Sequence, residues 1–103
     1  MKNILLVCCA GMSTSLLVSK MQEAAHGKGI ACKIQAVGEA EVMEYIDNTD
    51  VLLLGPQVRF LLSKFKVDLA DKNVPIEVIN TLHYGTMNGE KVLERALELA
   101  ETK

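Results

Sequence analysis

The chain has 103 residues and a net charge of −2, with 50% of its residues hydrophobic and only 4% aromatic. That is enough chain for a single domain with an aliphatic core, and the charge makes no case for binding nucleic acid or a membrane surface. No apolar run is long enough to span a bilayer, and the N-terminus lacks the h-region and cleavage site of a secretory signal, so a cytoplasmic protein is expected, in which Cys8, Cys9 and Cys32 stay thiols.

Residues 3–7 read as a first strand. They are apolar without alternation, as in a central parallel strand buried on both faces. The strand stops at Cys8. A loop of small and hydroxyl residues follows, and then a helical pattern with Leu17, Met21, Ala24 and Ala25 inward. Ser13, Thr14 or Ser15 is expected to cap that helix, and Gly27 to end it in a left-handed conformation. Residues 30–37 alternate, with Ile30, Cys32, Ile34 and Ala36 on one side, which suits a strand nearer the sheet edge. Residues 39–46 read as a short helix with Val42, Met43 and Ile46 inward.

Residues 51–54 are a third buried strand, broken by Gly55-Pro56, and Pro56 suits a first helical position. Val58, Leu61, Leu62 and Phe65 make a helical stripe that extends to Leu69. Residues 75–79 form a fourth strand with Pro75 at its start. Residues 80–87 read as an irregular loop. Asn88 then caps a last helix with Val92, Leu93, Ala96, Leu97 and Ala100 inward, and with Glu90, Glu94, Arg95, Glu98 and Glu101 on a solvated face.

Strands and helices therefore alternate four times. This predicts an α/β fold: an open four-stranded parallel sheet of order 2-1-3-4, with helices on both faces in three layers. The loops after strands one, three and four (8–15, 55–59 and 80–87) then end on one sheet edge, where ligands of such sheets bind. They are expected to surround one anion.

The chemistry concentrates at Cys8. A thiol at a strand's end, just before a helix N-terminus, sits in a field that favours its ionised, nucleophilic form. The first N–H groups of a helix have no internal partner and favour an anion such as phosphate. Ala10 and Gly11 leave the backbone open to close approach, and Ser13, Thr14 and Ser15 add hydroxyl donors. The expected site is thus Cys8 as nucleophile, with Cys9, Ala10, Gly11, Met12, Ser13, Thr14 and Ser15 as the phosphate-binding loop, and with no metal and no cofactor. A phosphatase of the cysteine class would need Cys-x5-Arg, but Thr14 stands at the arginine position. It would also need a loop acid to activate water, and residues 80–85 carry none. A phosphocysteine here should persist, which suits a carrier.

The run Cys8-x-Ala10-Gly11-Met12-Ser13-Thr14-Ser15-Leu16-Leu17 resembles the active-site loop of the IIB components of the bacterial sugar phosphotransferase system, in its lactose/cellobiose/diacetylchitobiose branch. Leu53-Leu54-Gly55-Pro56-Gln57 is similar to that family's third strand and turn, and Tyr84-Gly85 to its last loop. The resemblance spans essentially the whole chain and implies that residues 1–103 form one IIB-type domain. It implies a phosphocarrier role: a phosphohistidine on a IIA partner donates to Cys8, and phospho-Cys8 donates to a sugar held by the membrane IIC transporter. It also implies a protein that meets the inner membrane face only transiently through IIC. A monomer is expected. Cys9 departs from the family pattern, where a serine or another small residue is expected.

Other residues carry weaker signals. His83 and Arg59 could reach a phosphate, but each also reads as an ordinary solvated side chain. Tyr84 fits equally a lid over the loop or a partner contact. Met12 reads as an exposed loop-tip contact. His26 at a helix C-terminus carries no chemistry, and Cys32 reads as core. The competing functions are a small cysteine phosphatase or arsenate reductase, a nucleotide-binding module, and a thiol redox protein. The second lacks Gly-x4-Gly-Lys-Ser/Thr and Gly-x-Gly-x-x-Gly, and the third lacks Cys-x-x-Cys.

Overall fold

The structure, a computed structural model, describes residues 1–8 and 11–102, without the side chains at positions 11–13. The elements are β1 (Lys2–Val7), α1 (Gly11–Gly27), β2 (Cys32–Val37), α2 (Val42–Tyr45), β3 (Val51–Leu54), α3 (Leu62–Asp68), β4 (Ile76–Val78), α4 (Thr81–Gly85) and α5 (Gly89–Ala100). Short 3-10 turns flank α2, and a 3-10 segment, Pro56–Leu61, leads into α3. All four strands are parallel in the order β2-β1-β3-β4, as alternation of strand and helix predicts.

The register explains why residues 4–7 of β1 and the whole of β3 are apolar. Ile4 pairs with Ile34 of β2 and Val51 of β3, so β1 is central. Its even residues Ile4 and Leu6 join Leu17, Met21, Val92, Leu93 and Ala96 on the α1/α5 side. Its odd residues Leu5 and Val7 join Val42, Ile46, Leu61 and Phe65 on the α2/α3 side. A strand facing two helical layers has no solvent side to mark with polar residues.

Several local expectations are corrected. Helix α1 begins at Gly11, so Ser13, Thr14 and Ser15 lie inside its first turns and none of them is its cap. The left-handed residue after α1 is Gly29, at φ 69°, and not Gly27, because the helix runs through Gly27. Met43 is 55% exposed, while Val42 and Ile46 are buried; the interruption of α2 by 3-10 turns rotates Met43 off the inner face. Residues 80–87 are not irregular: Asn80 accepts hydrogen bonds from the Leu82 and His83 N–H groups and starts the single turn α4. Strands β2 and β4 are shorter than the spans 30–37 and 75–79 expected.

Candidate functional site

Strand β1 delivers Cys8 to the C-terminal edge of the sheet. The Cys8 N–H still donates to the Val37 carbonyl at 3.2 Å, so the β1–β2 ladder runs one residue past the strand's assigned end. Cys8 is a free thiol, 8% exposed, yet it belongs to neither apolar cluster of the described residues. Three positions later, α1 starts at Gly11 with no acidic residue in its first turn. The N-terminal end of the helix dipole is thus not offset by a carboxylate of its own. Of the expected loop, Cys9 and Ala10 lie outside the described residues, as do the side chains of Met12 and Ser13. The backbone of Met12 is helical, so Met12 is not at a loop tip.

Thr14 and Tyr84 bring the three edge segments together. Thr14 is 1% exposed, on α1. Its Oγ1 lies 3.1 Å from the Tyr84 hydroxyl, across 70 positions of sequence. Gln57, in the segment after β3, donates to the same hydroxyl from Nε2 at 3.0 Å. The Tyr84 ring is buried in the α1/α5 cluster, so Tyr84 lies beneath the edge as a support and not on the surface as a partner contact. At the same edge the Gly55 N–H donates to the Val7 carbonyl at 3.0 Å, and Ile79 N–H donates to the Leu54 carbonyl at 2.8 Å. The expectation that the segments after β1, β3 and β4 converge is met, and a phenol hydroxyl is the point where they meet.

Other expected residues fall elsewhere. His83 lines a cavity of about 680 Å³ along β4, with Asn80, Val78 and Arg95; Cys8, Thr14 and Tyr84 are not among the residues that line it. Arg59 and Ser15 are exposed, and His26 is exposed in the last turn of α1. Cys32 is half-buried against the α1/α5 cluster, and its burial pushes the thiol pKa up, the opposite of what a reactive cysteine needs. The outer face of α5 is solvated but also paired: Arg95 donates twice to Glu77, at 2.8 Å from both Nε and Nη2, and once to Glu98 at 3.2 Å. Sequence reading placed Gln57 in the segment after β3 but foresaw neither its bond to Tyr84 nor the Arg95–Glu77 pair, because neither has a local pattern that names its partner.

The chain matches the family model described as the lactose/cellobiose-specific IIB subunit of the PTS system over residues 3–95. It is 44% identical over 99 residues to an oligo-beta-mannoside-specific EIIB component of Bacillus subtilis, with 96% of each chain covered. It is 46% identical over 103 residues to a cellobiose-specific EIIB component of Lactococcus lactis, with 95% of each covered. The solution structure of a cellobiose-specific phosphotransferase IIB component from Borrelia burgdorferi superposes with a TM-score of 0.84 at 48% identity, covering 99% of this chain and 94% of that one. A lactose-specific IIB domain from Streptococcus pneumoniae, 20% identical, superposes with a TM-score of 0.85 over 95% of this chain and 96% of that one, a likeness of fold.

Proposed function

Because the chain belongs to the lactose/cellobiose-specific IIB subunits of the sugar phosphotransferase system, phosphotransferase components that work with IIA and IIC partners, we propose that Cys8 is its phosphoryl carrier. One observation carries this reading: a free cysteine stands at the C-terminal end of the central strand, three positions before the start of a helix whose first turn holds no acid. In the first step the Cys8 sulfur attacks the phosphorus of a phosphohistidine on the IIA partner. The N–P bond breaks as the S–P bond forms, and the imidazole leaves with the electron pair. In the second step a sugar hydroxyl attacks the same phosphorus, the S–P bond breaks with its electron pair leaving on the Cys8 sulfur, and the net transfer of the hydroxyl proton to that thiolate restores the thiol. Both steps need in-line positioning and donors for the phosphoryl oxygens more than any further covalent chemistry.

The donors we infer are main-chain N–H groups of the segment from Cys9 to Ser15, the Thr14 hydroxyl itself being engaged with Tyr84. Leu16, Phe60 and Leu82 are exposed, and each lies on an element leading off the C-terminal edge of the sheet. Such residues suit a transient apolar contact with IIA and then IIC. The acceptor we infer is a β-linked disaccharide such as cellobiose, lactose or diacetylchitobiose, bound by IIC. Residues 1–103 act as one such domain, as a monomer, at the inner membrane face only while docked on IIC. Among the described residues no helix is long and apolar enough to cross a membrane.

The test is phosphorylation by phosphoenolpyruvate, the general phosphotransfer proteins and a IIA partner, read by intact mass. One phosphoryl group is expected on the wild-type chain, on Cys9→Ser and on Cys32→Ser, and none on Cys8→Ser. A phosphoryl group on Cys9 or His83 overturns the reading.

A further inference from the structure

We infer that Tyr84 is a positioning residue for phosphoryl transfer: its buried hydroxyl ties the first turns of α1 to the segment after β3 and so sets the aim of the α1 amides toward Cys8. The inference rests on the carrier reading above and adds to it a residue outside the loop. Packing alone does not call for the hydroxyl. The Tyr84 ring sits in an apolar cluster, only 7% exposed, where a phenylalanine would fill the same space. A hydroxyl buried there is costly unless it is bonded. Its partners come from two other segments of the chain: Thr14 of α1 at 3.1 Å and Gln57 after β3 at 3.0 Å. The ring itself is set by α4, where Asn80 caps the turn and the Tyr84 N–H donates to the Asn80 carbonyl at 2.9 Å.

Thr14 is a helix residue only three positions after the start of α1, so whatever holds its hydroxyl holds the first turn. The carrier chemistry depends on that turn lying in one orientation to the sulfur, and small displacements of positioned groups cost large factors in rate. Main-chain bonds from Cys8 to Val37 and from Gly55 to Val7 fix where Cys8 is, core packing of Leu17 and Met21 seats α1 on the sheet, and the Thr14–Tyr84–Gln57 group ties its first turns to the same edge.

Single-turnover transfer from phospho-IIA to this chain tests the role. Tyr84→Phe keeps the ring, and its kcat should fall on the order of tenfold with the KM for IIA unchanged. Thr14→Val should fall at least as far, and the Thr14→Val/Tyr84→Phe pair no further than Thr14→Val alone, because the two remove one link. Gln57→Leu removes an exposed side chain that cannot unfold the core, and it should give a smaller loss of the same kind. Wild-type kcat in Tyr84→Phe, or a loss that follows the fraction unfolded in circular dichroism, overturns the positioning role and leaves Cys8 as the carrier. Absence of label from Cys8 in the wild-type chain overturns the carrier reading, and this role with it.

Discussion

Helices α1 and α5 lie side by side on one face of the sheet, and their N-termini are finished in opposite ways. The N-terminus of α5 is closed by its own sequence. Asn88 accepts a hydrogen bond from the Lys91 N–H at 3.1 Å, and Glu90 places a carboxylate in the first turn. Both satisfy the positive end of the helix. Helix α1 starts at Gly11 after an alanine, which has no side-chain acceptor, and it has no acid in its first turn. Its early residues Ser13, Thr14 and Ser15 are weak helix formers, because their hydroxyls compete for the backbone. Thr14 is held from outside, by Tyr84. Helix α5 closes its own N-terminus with a neighbouring side chain, whereas α1 has no acid in its first turn and is tied at Thr14 to a residue 70 positions away.

The comparison is broken most sharply by giving α1 what α5 has. Ser13→Asp puts a carboxylate in the first turn of α1. Within one helical turn of a bound anion, a like charge in a partly desolvated site repels it by a few kcal/mol. Phosphoryl transfer to Cys8 should fall on the order of a hundredfold in single turnover, while thermal stability holds or rises slightly. An unchanged rate would mean that this turn does not hold the phosphoryl oxygens.

The next effect is on the packing of the two helices. A Cβ at Gly89 would stand 2.4 Å from the Lys20 carbonyl carbon and 2.6 Å from the Met21 nitrogen, so the helices meet backbone to backbone at that glycine. Gly89→Ala must push them apart, and it should cost about 1–3 kcal/mol, visible as a Tm lower by roughly 5–15 °C. Retention of the wild-type Tm would show that the contact yields freely.

The smallest effect is at the α5 cap. Asn88→Ala should cost about 1 kcal/mol, seen as a lower urea midpoint at unchanged slope, with Asn88→Asp restoring it and transfer to Cys8 unaffected. A change in transfer rate here would mean that the ends of α1 and α5 are not independent.

Much of this was legible in the chain. The bounds of β3, the buried character of β1 and the order 2-1-3-4 follow from apolar runs separated by helical repeats, because parallel strands between helix layers leave a plain pattern. The cap at Asn88 was legible too, because a cap and its helix are adjacent. The turn α4 was not, since a five-residue helix has too few residues to show a period, and its cap Asn80 reads equally as loop chemistry. Met43 was misplaced because a helical wheel assumes continuous α geometry through 3-10 turns.

What the sequence by itself determined was the alternation of elements, the two-sided core and the arrival of Cys8 at a strand end before a helix. All of these depend on residues near one another in the chain. The tertiary structure alone decided that Gly89 lets α5 touch the backbone of α1, that Arg95 pairs with Glu77, and that the Tyr84 hydroxyl joins Thr14 to Gln57. Each of these joins residues from separate elements. Such a contact is set by how helices settle on the sheet, and periodicity carries no record of it.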